Sequence, residues 1–526
     1  MRMKTTILFI AMLFSGLTCL AQQTISGYVY EDLNVNNKKD KREKGIAGVS
    51  VTNGVDVVQT DALGRYTLPL QADQILAVIK PADYDLPKNV LHLPQFYHIH
   101  KPVGAPELKY KGVAPTGELP EEINFALLPA KVEATFTALV FGDPQPYNLM
   151  EMAFFEKGIV HEVEGIANVS LGISLGDLVG DDLSLFKSYQ EAVAKVGIPW
   201  YNVMGNHDLN LDVTRDELAD ETFEAHFGPS HYAFNYGKVH FIVLDDILYP
   251  DPRDGTGYWG GFREDQLAFI KNDLAFVPKD RLIVLAMHIP LFDEDYGDSF
   301  RDSDRTALFE LLEEFPHTLS LSAHTHLQRQ YFFDEDDGWK QPKPHHHYNV
   351  GTTSGDWYKG KLNKNGVPVS TMRDGTPKGY AFIDFDGNSY ALRYKVANEE
   401  PSYQMEIFAP KVIEKDKRTS AGIYVNFFIG NEKSTLRFRI DEGTWQNMHY
   451  LEEYDPAYLL EMFDWDTTTE LMDGKRPSNP EKCRHLWRAN IPNRLPVGKH
   501  VIEVEAVDMF GKRYTGQTHY EIKTAE

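Results

Sequence analysis

Phe136-Thr137-Ala138-Leu139-Val140-Phe141-Gly142-Asp143-Pro144-Gln145 reads as an apolar strand that stops at a glycine and releases a carboxylate and a carboxamide. A short apolar run closed by Gly and Pro is a strand signal. The same grammar recurs downstream. Val169 to Leu175 precedes Gly176-Asp177, and Pro199 to Met204 precedes Gly205-Asn206-His207-Asp208. Leu282 to Met287 precedes His288, and Leu319 to Ser322 precedes Ala323-His324-Thr325-His326. Between these strands, apolar residues fall at helical spacing: Leu149, Met152, Phe155, Ile159 and Val163, then Leu185, Phe186, Tyr189 and Val193. Leu267, Ile270 and Leu274, and later Leu308, Leu311, Leu312 and Phe315, repeat the pattern. Strand-helix alternation of this kind predicts an α/β domain with largely parallel sheets.

In open α/β sheets, ligands gather at the carboxyl ends of the strands. The residues released there are Asp143, Gln145, Asp177, Asn206, His288, His324 and His326. They offer carboxylate, carboxamide and imidazole but no thiolate. That donor set suits Mn, Fe or Zn, with Mg as a harder alternative. Taken singly, each has a blander reading as a helix cap, a turn residue or a satisfied core histidine. The ordered series, each member behind an apolar strand, is what points to metal. A shared carboxylate bridges two ions at about 3.5–4 Å in such sites.

The series Gly142-Asp143-Pro144-Gln145, Gly176-Asp177, Gly205-Asn206-His207-Asp208, His288 and His324-Thr325-His326 resembles the calcineurin-like metallophosphoesterase family. The resemblance implies a four-layer αββα sandwich with a dinuclear metal centre. It implies that Asp143, Gln145, Asp177 and His326 hold one divalent ion. Asp177, Asn206, His288 and His324 would hold the other, with Asp177 bridging. It further implies that His207 protonates the leaving group while Asp208 orients it. The reaction expected is hydrolysis of a phosphate ester (monoester, diester or pyrophosphate) by a metal-activated hydroxide. Two positions depart from the usual pattern. Gln145 stands where the family usually has His; a neutral carbonyl oxygen is a harder ligand, which tilts the site towards Mn or Mg. Similar Asp-x-Gln branches include Mn-dependent ADP-ribose/CDP-alcohol diphosphatases and a Ser/Thr-phosphatase-like group. Ala323 replaces the common Gly before the histidine pair, a small change.

Around this domain the chain looks all-β. Thr24 to Tyr30, Gly48 to Thr52, Asp56 to Thr60 and Arg65 to Leu70 are strand candidates, and Gly112 to Pro120 reads as a linker. Ala421 to Phe428, Ser434 to Ile440, Lys499 to Ala506 and Tyr514 to Ile522 are strands of a C-terminal immunoglobulin-like β-sandwich. The expected division is a signal peptide over 1–21, an N-terminal β-sandwich and linker over 22–128, a phosphoesterase domain over 129–398 and a C-terminal β-sandwich over 399–526. The leader reading rests on Arg2 and Lys4 before the apolar run Ile7 to Leu20, with Cys19-Leu20-Ala21 as the cleavage context. It predicts an exported, periplasmic or surface-associated protein. That run is too short for a bilayer core of about 30 Å, and no later segment reads as an integral membrane span.

The whole sequence has 526 residues and a formal charge of -24, from 53 Lys+Arg against 77 Asp+Glu. An acidic surface of that size argues against nucleic-acid polymers as partners and leaves a phosphorylated small molecule, nucleotide or glycan as substrate. With Cys19 in the leader, Cys483 is the remaining thiol, so neither an intrachain disulfide nor a cysteine zinc site is expected.

Other features are secondary. Asp32, Asn34, Asn36, Asp40 and Glu43 stand at positions 1, 3, 5, 9 and 12 of a loop, the spacing of a calcium ligand set. The region Ile25 to Leu70 resembles calcium-binding B-type repeats of bacterial surface proteins, with Asn37 in place of the usual Gly. Against calcium stand Lys38, Lys39 and Lys41, which suit a simple polar turn. Gly351 to Trp357 borders the expected pocket, with Trp357 as a packed aromatic rather than a stacking platform. Thr371 to Tyr380 resembles a second pocket loop, and His345 to His347 could be extra ligands but read better as a solvated strand face. Arg263 and Arg301 could contact phosphate, but surface arginines are common and neither is assigned that role. The rival from another class is a non-catalytic module binding surface glycan or protein; a second is a metal hydrolase of another bond, such as an amide.

Overall fold

The computed structural model describes residues 23–131, 133–294 and 297–525. The signal-peptide reading, with Cys19, lies outside the described residues.

The strand that opens the central sheet runs Thr135–Phe141. It pairs in parallel with Leu171–Leu175, which pairs in parallel with Trp200–Val203. On its other side the antiparallel hairpin Gly379–Asp386 and Ser389–Val396 completes five strands. A second sheet of six strands places Val239–Val243, Leu282–Ala286, Thr318–Ser322 and His345–Asn349 in parallel. Tyr232–Tyr236 and Arg329–Phe333 close its two edges antiparallel. The expected strands therefore form within a residue or two of their sequence bounds, because apolar runs between turn residues fix them locally.

Strand alternation sorts the core. Phe136 and Phe385 of the first sheet stack at 4.6 Å between ring centres, and Phe136 meets Phe241 of the second edge-on at 6.4 Å. Phe241 stacks in turn on Phe234 at 4.7 Å. The alternate residues Leu139, Phe141, Ile242 and Leu285 join a cluster with the helix residues Phe155, Tyr189, Phe269 and Leu308. Those residues come from the helices Leu149–Phe155, Phe186–Ala194, Glu264–Leu274 and Asp302–Leu312. Asn148 starts the first helix by accepting the amides of Met150 and Glu151, which turns the chain sharply away from the Asp143 loop.

Before this region lie two four-stranded sheets, one built on Thr24–Glu31 and one on Ser50–Thr52 and Gln74–Val78. Phe125–Pro129, beyond the expected linker, returns to pair in parallel with Thr24–Glu31. After it lie a four-stranded and a five-stranded sheet, the latter carrying the long pair Gly498–Val507 and Arg513–Lys523. The helix Pro456–Thr467 interrupts this β-rich segment, with Asp455 capping it. No helix among the described residues is long and apolar enough to cross a membrane.

Candidate metal centre

Each parallel strand stops where its side chains would enter the same crevice, and the backbone there is wound unusually tightly. Asp143, Gln145, Asp177, His324 and His326 all have positive φ, from +32° to +69°. For residues with a Cβ this conformation costs about 1–3 kcal/mol each and survives only where the surroundings impose it. Two glycines make room. A Cβ on Gly205 would lie 2.0 Å from the Asp177 amide, and one on Gly176 would lie 2.5 Å from His288 Nδ1. The Gln145 amide donates to the Asp177 carbonyl at 2.9 Å, so the first two loops are held in register.

All seven sequence-predicted ligand positions come together, and six are buried; His324 is half-buried. Asp177, His288 and His324 offer ligand atoms that all lie within 4.8 Å of one another. The polarity of these atoms is the informative part. His288 uses Nδ1 on the Leu175 carbonyl at 2.7 Å, which leaves Nε2 as an acceptor in the neutral ring. That Nε2 faces Asn206 Oδ1 at 3.0 Å, His324 Nδ1 at 3.1 Å and Asp177 Oδ1 at 3.3 Å. His326 likewise uses Nδ1 on the Gly355 carbonyl at 2.6 Å. Its Nε2 faces Gln145 Oε1 at 2.9 Å and Asp143 Oδ2 at 3.2 Å. Asp143 Oδ2 is buried with no hydrogen-bond donor. Lone pairs thus converge on two neighbouring points, and burying them requires a proton or a cation at each.

Without a cation the titration equilibria shift accordingly. Burial opposes charge on His288, but Asp177 and Asp143 outweigh it and lift the imidazole to about 10. Burial drives Asp143 up to about 7, with repulsion from Asp177 adding to it. Burial works against charge on Asp177 too, yet His288 and His207 hold its carboxyl below the usual range. Burial pushes His324 and His326 down to about 3, keeping both rings neutral and ready to ligate. The residues fit divalent metal by donor type, by orientation and by burial.

His207 stands at the rim, with its amide on Asp177 Oδ1 at 2.9 Å. Its ring Nδ1 contacts Asp181 Oδ1 at 2.7 Å, not Asp208. The expectation that Asp208 orients His207 is therefore corrected. Asp208 points inward and accepts the amides of Gly205 at 2.8 Å, Leu178 at 3.0 Å and Val179 at 3.2 Å. It ties the Asp177 and Asn206 loops together. Burial opposes charge on His207, but Asp177 and Asp181 raise its pKa to about 9.

A second expectation also fails. His345 to His347 are buried, with relative exposures of 0%, 3% and 0%, because their strand is interior to the six-stranded sheet. His345 and His347 bond to Ser320 Oγ at 2.8 and 2.6 Å instead of meeting solvent. Trp357 packs as expected, but on a ligand position: its ring stacks on His326 at 4.0 Å and borders the pocket. Arg263 is half-buried against Asp245, and Arg301 pairs with Asp304; neither lines the pocket. Residues not singled out from sequence that do bear on the site are Asp181, Tyr258 and Arg373. Arg373 falls inside the expected loop Thr371 to Tyr380, so the loop was legible where the residue was not.

The calcium-spaced loop closes on itself. Asn34 and Asn36 both donate to Asp40 Oδ2, at 2.9 and 3.2 Å, while Asp32 accepts the amides of Asn36 and Asn37. Asn37 takes φ +57°, the left-handed turn that a Gly usually supplies.

Three family models match the chain. They are described as Calcineurin-like phosphoesterase over residues 136–328, its N terminal over 33–111 and its C terminal over 347–514. No curated protein matches the sequence. Among solved structures, a purple acid phosphatase from yellow lupin (Lupinus luteus) seeds is 14% identical, covering 71% of this chain and 67% of that one at a TM-score of 0.36. Vps29 of Chaetomium thermophilum is 8% identical, covering 73% and 98% at a TM-score of 0.21. At those scores neither likeness bears on what this chain does.

Proposed function

This chain belongs to the calcineurin-like phosphoesterases and is a metal-dependent phosphoester hydrolase, and we propose that its site is dinuclear. Asp143, Gln145, Asp177 and His326 take one divalent ion; Asp177, Asn206, His288 and His324 take the other. The observation that carries this reading is the convergence of acceptors on two points, including the donorless Asp143 Oδ2. The bound cations would acidify a water and draw charge from phosphoryl oxygens. The protein does the rest. Asn206 turns its carboxamide oxygen inward beside His288, which fixes where its amide hydrogens lie. His207, kept protonated by Asp177 and Asp181, gives its proton to the departing alkoxide. Asp181 takes over the positioning role first assigned to Asp208, since a carboxylate on Nδ1 fixes the ring and its charge state.

The same reading covers the remaining architecture. Helices outside two facing sheets fit an αββα layering, and the C-terminal sheets fit an immunoglobulin-like sandwich, with the domain bounds 22–128, 129–398 and 399–526. Gln145, a neutral oxygen ligand, favours Mn or Mg. We also propose a structural calcium in the loop from Asp32 to Glu43, and export of the mature chain. Calcium should raise the melting temperature of the wild type and leave Asp32→Asn unmoved.

The decisive assay pairs metal analysis with a phosphate-ester panel. Wild-type protein should carry about two Mn per chain and hydrolyse at least one ester. Asp177→Asn should lose both ions and slow turnover by about three orders of magnitude or more. Full activity in metal-free protein would contradict the reading.

A further inference from the structure

Above the ligand set lies a pocket of about 270 Å³. Tyr258, Asp293, Trp357 and Arg373 are among the residues that line it. Among the described residues lining it, Arg373 is the one with a permanent positive charge, in a chain whose net charge is -24.

That charge is held in place. Arg373 Nη2 donates to the Thr325 carbonyl at 2.9 Å and Nη1 to Glu481 at 3.0 Å. Its guanidinium carbon lies 5.6 Å from the centre of the Trp357 ring, which stacks on His326. Thr325 sits between His324 and His326, so the guanidinium is anchored one residue from two ligand positions. The turn behind it is equally fixed. The Glu481 amide donates to the Arg373 carbonyl at 2.9 Å, and Asp374 accepts the amides of Gln328 and Thr376. Arg373's side chain is 11% exposed. Ordering a flexible arginine upon binding normally costs affinity; here the folded chain has already ordered it.

We propose that Arg373 receives the third non-bridging oxygen of the phosphoryl group and thereby selects phosphate monoester dianions over diesters. The proposal deepens the dinuclear reading above and rests on it. A monoester presents three non-bridging oxygens and carries close to two negative charges near pH 7. Two cations serve two of those oxygens, and a planar guanidinium is suited to the third. A diester puts a second ester substituent in that position and carries one charge. Arg373 keeps its pairing with Glu481 but gains no charge-assisted hydrogen bond from that substituent, so the extra attraction falls to the monoester alone. Glu481, supplied by the C-terminal segment, aims the guanidinium, so the third region of the chain contributes to specificity without touching substrate.

The test compares 4-nitrophenyl phosphate with bis(4-nitrophenyl) phosphate on the Mn-loaded full-length protein, and measures orthophosphate binding by calorimetry. Wild type should favour the monoester. In Arg373→Ala, monoester kcat/KM should fall about 10- to 100-fold, the worth of a charge-assisted hydrogen bond, with orthophosphate binding weakened in parallel. Diester kcat/KM should change less than about 3-fold. Arg373→Lys preserves the charge and the stem that packs near Trp357, and guards against misfolding of the alanine variant. It should show the same bias at a smaller size, as should Glu481→Gln. Equal losses on both esters in Arg373→Lys, or a wild type that prefers the diester, would overturn the assignment and leave the metal reading standing. A metal-loaded wild type that hydrolyses neither ester would overturn the assignment alone, and a wild type that binds no metal would overturn the dinuclear reading with it.

Discussion

At the scale of single residues, sequence adjacency misled where chemistry did not. Asp208 follows His207 directly, and a carboxylate beside an imidazole invites pairing. Asn206–Asp208 forms a tight helical turn, however, in which consecutive side chains point about 120° apart. His207 faces the pocket and Asp208 faces the protein interior. The true partner, Asp181, belongs to the previous loop and is brought in by a positive φ of 64°, which no composition rule reveals. The consequences separate cleanly. His207→Ala should slow alkyl phosphates, whose leaving groups need a proton, far more than 4-nitrophenyl phosphate; Asp181→Asn should show the same bias at a smaller size. Equal slowing of both substrates by His207→Ala would remove the acid role. Asp208→Ala should show no leaving-group bias. It strands three buried amides, so it should lower folding stability by about 3 kcal/mol or more, read as a drop in thermal midpoint.

At the scale of elements, most of the site was legible because ligand type and strand ending are both local properties of sequence. Gly205→Ala tests how local: its Cβ would strike the Asp177 amide, so metal content should fall although no ligand has changed. A protein that keeps its metal would show that the two loops yield. The run His345 to His347 was misjudged because a polar strand looks solvated until its neighbour is known. The neighbour is Thr318–Ser322, whose Thr318, Ser320 and Ser322 face His345, His347 and Asn349 in a buried polar ladder. Burial lowers His345 and His346 to about 3, against about 6.5 in an unfolded chain. Folded pKa values below the unfolded ones mean stability that is complete above about pH 6.5 and lost as pH falls from there towards 3. Urea midpoints should therefore drop between pH 7 and pH 5, and less steeply in His345→Asn; an unchanged pH slope in that variant would contradict the assignment. The hairpin of Gly379–Asp386 with Ser389–Val396 and the helix Pro456–Thr467 were not anticipated. The hairpin's role depends on pairing with a strand some 240 residues earlier, such as Ile383 with Ala138.

At the scale of the whole molecule, the N-terminal segment is fastened to the central one through buried charge. Lys101, from the first segment, forms ion pairs with both Glu221 and Glu224 on the helix Glu221–Phe227, and all three are buried. Lys101→Met should lower stability by about 3–5 kcal/mol, because two buried carboxylates lose a cation they share; a shift within error in the denaturation midpoint would show that the carboxylates neutralise themselves. From the other end, the Ser478 amide donates to Asp356 Oδ2 at 2.6 Å and Lys475 reaches Glu151 at 3.2 Å, bracing the loop that carries Trp357. Sequence alone reports that three regions exist but not that they share charge, since such pairs join residues more than a hundred positions apart. A pair of cations bridged by one carboxylate underlies the role proposed for every residue of the site. Anomalous diffraction from Mn-soaked crystals addresses it directly: two peaks about 3.5–4 Å apart, both in contact with Asp177, are expected, and a map without a peak beside Asp177 would contradict it.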